Sequence, residues 1–499
     1  MKDSENSSYK GIVKNTTLFG GVQIVQILTT LLKGKAIAIL LGATGIGINT
    51  LLTSATNIII QICSFGINFS GVREISMAKN SGDDFGLTRI INILRTVIYF
   101  CALVGGIVTL TGSYFLSYLT FGDNTFVYGY IWLSIAVSLN ILASLNITIL
   151  QGMQRLREMA KATLLGAIVS LLASLPLYYF FGQDSIAPSL VLSALISYCF
   201  SKFQVTKAVN ISNINLKVKE AFLGATEMAK LGGAMMAATL IGSVVTYIVN
   251  AYISRYGSLV EVGLYGAGIS ITNQYVGIVF TAMAADYFPR LSAVSGDKTK
   301  VNSIVNQQGE IVILIITPLL ITMMITAPIL IKLLLTSEFL SIRNFVCWVS
   351  FALLFKAAGF ALGYISFAKG DKKVFFLFEG VMGSILILTC NIVGYSLNGL
   401  VGIGISIVVS YVVYLIAVVI LTFRKYEFKI ENKFAKIFFY SLILMSIVLI
   451  AVLNIQNIYG YTFATITLVV SLTYSLKELD QRIGLKSVIY NRFKSFRKN

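Results

Sequence analysis

Gln23, Gln26, Thr30 and Lys33 follow one another at steps of three, four and three residues. That spacing places all four on one face of an α-helix. Asn57, Gln61, Ser64 and Asn68 repeat the pattern at steps of four, three and four. Ser243, Tyr247, Asn250 and Ser254 form a third stripe, and Asn273, Gln274 and Thr281 a fourth. All lie within apolar runs. Amides and hydroxyls are costly against hydrocarbon, so these faces must look toward water or toward other helices. Bonding between helices would satisfy them without any ligand. Recurrence on four paired helices favours a wet, substrate-binding cavity. Lys33 shares the first stripe, and Lys356 sits mid-run near the C-terminal third. A lysine at the bilayer centre costs about 2.5–3.5 kcal/mol. The acids Asp286, Glu310 and Glu379 fall near helix ends, too far from the centre to pair with these lysines. The cavity therefore reads as cationic, suited to an anionic passenger such as a phosphate, for which lysine is a point charge. Lys356 reads equally as a substrate contact or a structural ion pair. Lys35 reads as a side chain that snorkels to the interface. Arg255, at a helix end, either guards an exit or sits in water. Arg73 and Arg290 open corresponding loops and read as a structural clamp, with an inner gate as the alternative.

The elements that position these residues are apolar. The chain is 56% hydrophobic and 12% charged, with a mean hydropathy of +0.83. Runs of roughly 20 apolar residues, enough to cross about 30 Å of hydrocarbon, recur along it. Fourteen are discernible, centred between residues 29 and 468. They lack the strict alternation of a barrel and predict an all-α polytopic membrane protein. The net charge of +18 is a matter of placement. The N-terminal tail and alternate loops hold 33 of the 39 Lys and Arg residues. This positive-inside asymmetry predicts both termini in the cytoplasm and leaves no reason to invoke nucleic acid. The first apolar run reads as an uncleaved anchor rather than a signal peptide.

The chain also repeats itself. Arg73, Thr120 and Gly152 find counterparts at Arg290, Thr336 and Gly370, offset by 217, 216 and 218 positions. Ser81-Gly82-Asp83 answers Ser295-Gly296-Asp297. Each copy holds six spans, so both run in the same sense, as parallel repeats about an axis along the membrane normal. The expected organisation is a tail (1–15), a first lobe (16–205), a linker (206–229), a second lobe (230–424), two appended spans (425–477) and a basic tail (478–499). Leu485, Ile489, Phe493 and Phe496 in that tail share a helical spacing that would suit an anionic leaflet.

Histidine is absent, which removes imidazole as catalyst, metal ligand or proton relay. Five cysteines all fall inside spans, without disulfide or zinc spacing. The outer loops are too short for an extracytoplasmic active site. A membrane glycosyltransferase or polymerase is disfavoured further by the lack of an Asp-x-Asp metal pair. A scaffolding role leaves the duplicated stripes unexplained.

Leu40 to Gly47 (Leu-Leu-Gly-Ala-Thr-Gly-Ile-Gly), Gly71 to Ser76, Gln151 to Arg155 and Leu264 to Gly268 resemble stretches of Wzx-type polysaccharide flippases. These belong to the multidrug, oligosaccharidyl-lipid and polysaccharide exporter superfamily, and the resemblance covers about residues 10–430. It implies two six-helix lobes around a central cavity open alternately to each side. It also implies a cargo of undecaprenyl-diphosphate-linked oligosaccharide in a bacterial inner membrane, with membrane lipids as surroundings. A polysaccharide polymerase and chain-length machinery would act downstream. No cofactor is implied beyond coupling to a proton or sodium gradient. The two appended spans resemble the lipid II flippase branch. A cation-coupled multidrug exporter on the same scaffold is the alternative, although such exporters place a carboxylate in the first helix, where this chain has lysines.

Overall fold

The computed structural model describes residues 2–209, 218–454 and 458–483, with side chains from residue 24 onward apart from scattered helical positions that include Asp286 and Glu379. Residues 484–499 of the C-terminal basic tail, part of the linker and the Gln23 side chain lie outside the described residues. The helices are α1 (Lys2–Ser64), α2 (Ile67–Ser81), α3 (Asp84–Thr111), α4 (Ser113–Phe121), α5 (Val127–Gly152), α6 (Leu156–Phe181), α7 (Ile186–Ala208) and α8 (Val218–Tyr256). They continue with α9 (Leu259–Ala293), α10 (Lys298–Leu334), α11 (Arg343–Ala368), α12 (Lys372–Phe375), α13 (Gly383–Tyr426), α14 (Asn432–Asn454) and α15 (Ile458–Ile483). No strand occurs among the described residues.

Among the described residues, eight segments are long and apolar enough to cross a membrane. Three of them each contain two helical runs. Ile24–Ser64 breaks at Gly42 (φ 68°, ψ −166°), Leu156–Ala208 joins α6 to α7, and Phe376–Tyr426 breaks at Asn398 and Gly399. With α8, α9 and α15 this accounts for the fourteen runs of the sequence. The protein is an all-α, multi-pass membrane protein. Its outward-facing apolar side chains, such as Leu103, Ile107, Ile416 and Ile443, are half or more exposed. In a bilayer such a surface meets lipid, where it carries no penalty.

The duplication is written in the backbone. Residues 127–152 form α5 and residues 343–368 form α11, equal in length and offset by 216. The turn glycines Gly182 (φ 58°, ψ −138°) and Gly399 (φ 52°, ψ −138°) adopt the same left-handed conformation 217 residues apart. That conformation costs glycine little and strains other residues. Gly47 and Gly263, also 216 apart, lie against each other. A Cβ on Gly47 would sit 2.0 Å from the Leu259 carbonyl, and one on Gly263 would sit 1.9 Å from the Ala43 carbonyl.

One sequence pairing shifts. Met153, Gln154 and Arg155 donate backbone hydrogen bonds to Ile149, Gln151 and Leu150, while Lys369, Gly370 and Asp371 donate to Ile365, Phe367 and Ser366. Gly370 therefore corresponds to Gln154, not Gly152. Both occupy the left-handed position after a helix, at φ 70° and φ 53°. Glycine identity misleads here because the first copy fills that position with glutamine.

The repeats also differ. The first breaks at Phe65–Gly66 and again at Gly112, where the second runs on as α9 and α10. The second carries a π-helical turn, Phe376–Met382, where the first has a regular α6. Packing divides the chain into Met1–Gly266 and Ala267–Asn499. The first unit thus takes in α8 and the start of α9. Its core is a cluster of α3 and α5 side chains including Leu94, Ile98, Val137, Ile141 and Ile149. In the second unit, α10 and α11 bury Ile313, Leu320, Phe345 and Leu354. Here α14 and α15 pack against α10, so the appended pair belongs to this unit.

Candidate functional site

Within the first unit, the polar stripes divide into bonded and open members. Thr30 donates to the Gln26 carbonyl on its own helix, leaving the half-buried Gln26 amide and Lys33 as the polar groups of that face. Lys33 is half-buried and makes no hydrogen bond or ion pair among the described residues. Its neighbour Gly34 faces open space, as does Gly242 on α8. Lys35 is half-buried two residues on.

Gln61 donates through Nε2 to the Ser243 hydroxyl at 2.8 Å, and Asn68 through Nδ2 to Ser144 at 3.0 Å. These are bonds between helices, and they fix both side chains. Each amide still holds a buried oxygen with no partner, as do Asn250 and Gln274. An unbonded buried amide oxygen costs roughly 1–3 kcal/mol. Asn250 is 1% exposed, whereas Asn57 and Asn273 are exposed. Asn273 and Gln274 belong to the second unit, where Gln274 donates to Ser270 one turn back at 2.7 Å.

The Ser243–Tyr247 stripe of α8 is mostly spoken for. The Tyr247 hydroxyl meets Thr120 at 2.7 Å, and Thr120 meets Tyr130 at 2.6 Å, a three-hydroxyl network closed off from solvent. Asn57 instead lines a small cavity of about 140 Å3 with Thr53, Thr56, Asn140, Ser193 and Ser197. Sequence reasoning passed over Asn140 and the two serines. They come from α5 and α7, and no single helix displays the cluster.

Arg255 has a structural partner. It donates to the Tyr118 carbonyl at 2.8 Å and stands 5.5 Å from the centre of that ring. That carbonyl belongs to the last turn of α4, where a cation offsets the negative helix end. Arg343, which sequence reasoning also missed, repeats the device. It donates to the Val452 carbonyl near the end of α14 and lies 5.8 Å from the centre of Tyr461. Arg73 and Arg290 part company: Arg73 is exposed, while Arg290 donates to Gln308 at 3.2 Å.

The second unit holds the other intramembrane lysine. Lys356 stands near the middle of the 26-residue α11. It forms no ion pair among the described residues. Instead its ammonium lies 5.7 Å from the ring centres of both Phe280 and Tyr411. Cation–π contacts of this kind are worth about 2 kcal/mol when desolvated. The ammonium borders a cavity of about 580 Å3 walled by α11 and α13. The acid Glu310 is committed elsewhere, to Arg482 of α15 at 2.6 Å, and Arg482 also grips Glu478 at 2.5 Å.

The lysine-rich loops form their own contacts. Lys79 donates to the Met153 carbonyl at 2.6 Å, and Lys369 to the Ser295 carbonyl at 2.9 Å. Lys425 lies 2.5 Å from Asp371 and, by its hydrogen bond, holds that carboxyl below its ordinary range. Lys298 does the same to Glu427. The Thr299 hydroxyl and the Lys300 amide pull Asp297 down to about 2. Among the described residues, no group of three or more acidic or thiol side chains is placed to hold a metal ion.

Residues 37–344 match the model of a family described as polysaccharide biosynthesis protein. No curated protein matches the sequence. Among solved structures, the lipid II flippase MurJ in an inward closed conformation aligns with TM-score 0.72 at 11% identity, over 94% of this chain and 99% of that one. An inward-facing multidrug resistance MATE family transporter of the MOP superfamily aligns with TM-score 0.69 at 16% identity, over 82% and 98%. The Vibrio cholerae MATE transporter VcmN in its bent form aligns with TM-score 0.54 at 14% identity, over 88% and 99%. The chain therefore shares the fold of these transporters.

Proposed function

Because the chain belongs to the family of polysaccharide biosynthesis proteins, we propose that it flips a lipid-linked oligosaccharide across a membrane by alternating access. In this reading the cargo is an undecaprenyl-diphosphate-linked repeat unit of an O-antigen or related surface polysaccharide. It passes from the cytoplasmic to the periplasmic leaflet of a bacterial inner membrane, with both termini of the protein cytoplasmic. A proton or sodium gradient would drive it, and a polymerase with its chain-length machinery would receive the product.

One observation carries the reading. Two lysines, Lys33 and Lys356, sit mid-helix without a carboxylate partner among the described residues. A fixed cation in hydrocarbon is costly unless an anion meets it. A resident acid would serve; an acidic cargo serves instead. Lys33 is the candidate for the diphosphate, with Gln23 and Gln26 on its face. The exposed amides of Asn57 and Asn273 can meet sugar hydroxyls directly, and the buried, unbonded oxygens of Gln61, Asn68, Asn250 and Gln274 would accept from them once the helices part during the cycle. The apolar carrier tail stays in lipid while its head passes. In this scheme Arg255 and Arg290 hold neighbouring helices together, Arg73 is the exposed counterpart of Arg290, and Lys35 snorkels to the interface.

A cation-coupled multidrug exporter is the second reading, favoured by the likeness to multidrug transporters. The first span counts against it, because residues 16–41 include Lys33 and Lys35 and no Asp or Glu. A lipid II-type flippase is favoured by the likeness to MurJ. Mass spectrometry of lipids from a deletion strain separates the three. The proposal predicts a stranded undecaprenyl-diphosphate oligosaccharide other than lipid II. Drug sensitivity with no stranded glycan would overturn it, and stranded lipid II would reassign the cargo.

A further inference from the structure

The cavity beside Lys356 has a composition of its own. Phe360, Tyr364 and Phe367 line its wall, with Phe360 and Tyr364 4.8 Å apart between centres, and rings of α9 back them: Phe280 lies 5.1 Å from Phe360 and Phe288 4.6 Å from Phe367. Tyr364 lies 6.2 Å from Phe288 and links the two pairs. Tyr411 and Tyr414 of α13 line the cavity as well. The π-helical turn ends at Met382, so Gly383 and Ser384, which also line the cavity, directly follow a widened stretch of helix. Such π turns recur at functional sites. The volume of about 580 Å3 falls within the range of about 300–1,000 Å3 typical of small-ligand pockets. Lys356 is the one charged side chain among the described residues lining it.

We propose that this cavity is a binding site for an acidic sugar, a glycosyl ring bearing a carboxylate, distinct from the place where the carrier diphosphate binds. The inference rests on the flippase reading and narrows its cargo to glycans containing such a ring. Two physical arguments select the ligand. The C–H face of a pyranose carries slight positive charge and packs on the negative face of an aromatic ring, as other weakly cationic groups do. The ladder supplies such faces in series. The charge must also balance. One ammonium neutralises one carboxylate, and the pair enters an apolar cavity without net charge. A diphosphate would bring a second negative charge with no second cation to meet it, a heavy penalty in low dielectric.

The test uses the full chain in nanodiscs, titrated with phenyl glucuronide, phenyl glucoside and undecaprenyl diphosphate. The glucuronide should bind at least about tenfold more tightly than the glucoside, the scale of a charge-assisted hydrogen bond. Lys356→Met should erase that preference and Lys356→Arg should retain it. Tyr364→Leu should weaken both glycosides while preserving their ratio, which keeps the test readable if the methionine variant does not fold. Equal binding of the two glycosides by the wild type would overturn the inference. So would a loss of undecaprenyl diphosphate binding in Lys356→Met as large as that in Lys33→Ala, since the diphosphate would then occupy this cavity. Failure of the flippase reading looks different: the wild type would bind no undecaprenyl diphosphate while the glycoside preference stood.

Discussion

The two repeats bridge the same pair of loops with opposite chemistry. In the first, Lys79 reaches across to the carbonyl of Met153; in the second, Lys369 reaches back to the carbonyl of Ser295. Counted from the helix starts capped by Asp83 and Asp297, residue 295 corresponds to 81, two positions beyond Lys79, while residue 153 corresponds to 369. The bond is kept while the lysine has changed sides. Elsewhere the copies diverge further. Where the second buries Glu310, the first has the half-buried Thr96. Where the second has Asp371, the first has Arg155. The intramembrane lysines follow the same rule: Lys33 stands with amides, Lys356 among aromatic rings. The comparison teaches that backbone contacts fix the scaffold, and side chains are then free to take separate tasks in each copy.

The strongest way to break this comparison is at Glu310. Replacing Glu310 and its neighbour Glu478 together by alanine strands Arg482 in a largely buried site and should cost about 3–5 kcal/mol, read by thermal unfolding in detergent. Glu310→Leu with Arg482→Leu replaces the ion pair by apolar side chains, removing the charge as the first repeat does, and should come close to wild-type stability. A leucine pair as unstable as the alanine variant would show that the ion pair itself, and not the stranded charge, sets stability here.

A smaller loss is expected where the repeats touch. Gly263→Val places a side chain against the Ala43 carbonyl and should cost about 1–3 kcal/mol. Wild-type unfolding behaviour would show that this contact is loose.

The lysine bridges sharpen the comparison further. Lys79→Ser should lose about 1 kcal/mol, the worth of one hydrogen bond. Adding Met153→Lys copies the second repeat into the first and should restore most of it. No restoration would show that the two loops are not equivalent.

The smallest effect is a pH dependence confined to the second repeat. Lys425 depresses the folded pKa of Asp371, so the pair adds stability above the unfolded aspartate value of about 3.9. That stability is lost as pH falls through the lower folded value. Lys425→Met should flatten the acid limb of stability, and an unchanged limb would assign it to other carboxylates such as Asp297. The first repeat, with Arg155 in that place, contributes no such limb.

The scaffold was readable from sequence because hydrophobic runs and helical spacing are local properties. Lys33 and Gln26 share a face by period alone. The partners of Gln61 and Asn68 were not readable: Ser243 and Ser144 lie 182 and 76 residues away, and only packing brings them together. The aromatic ladder was hidden for another reason. Phe280, Phe360 and Tyr364 pass in a hydropathy profile as ordinary members of their spans, and their stacking depends on α9 and α11 meeting. The pairing of Gly152 with Gly370 failed because residue identity was read where backbone conformation was conserved between the copies.

The most direct test is a flipping assay on the purified chain in vesicles, with a fluorescent undecaprenyl-diphosphate oligosaccharide placed in one leaflet. The account predicts protein-dependent movement to the other leaflet, reduced at least about tenfold by Lys33→Ala at equal reconstitution. Movement that is independent of the protein, or undiminished in the Lys33→Ala variant, would contradict it.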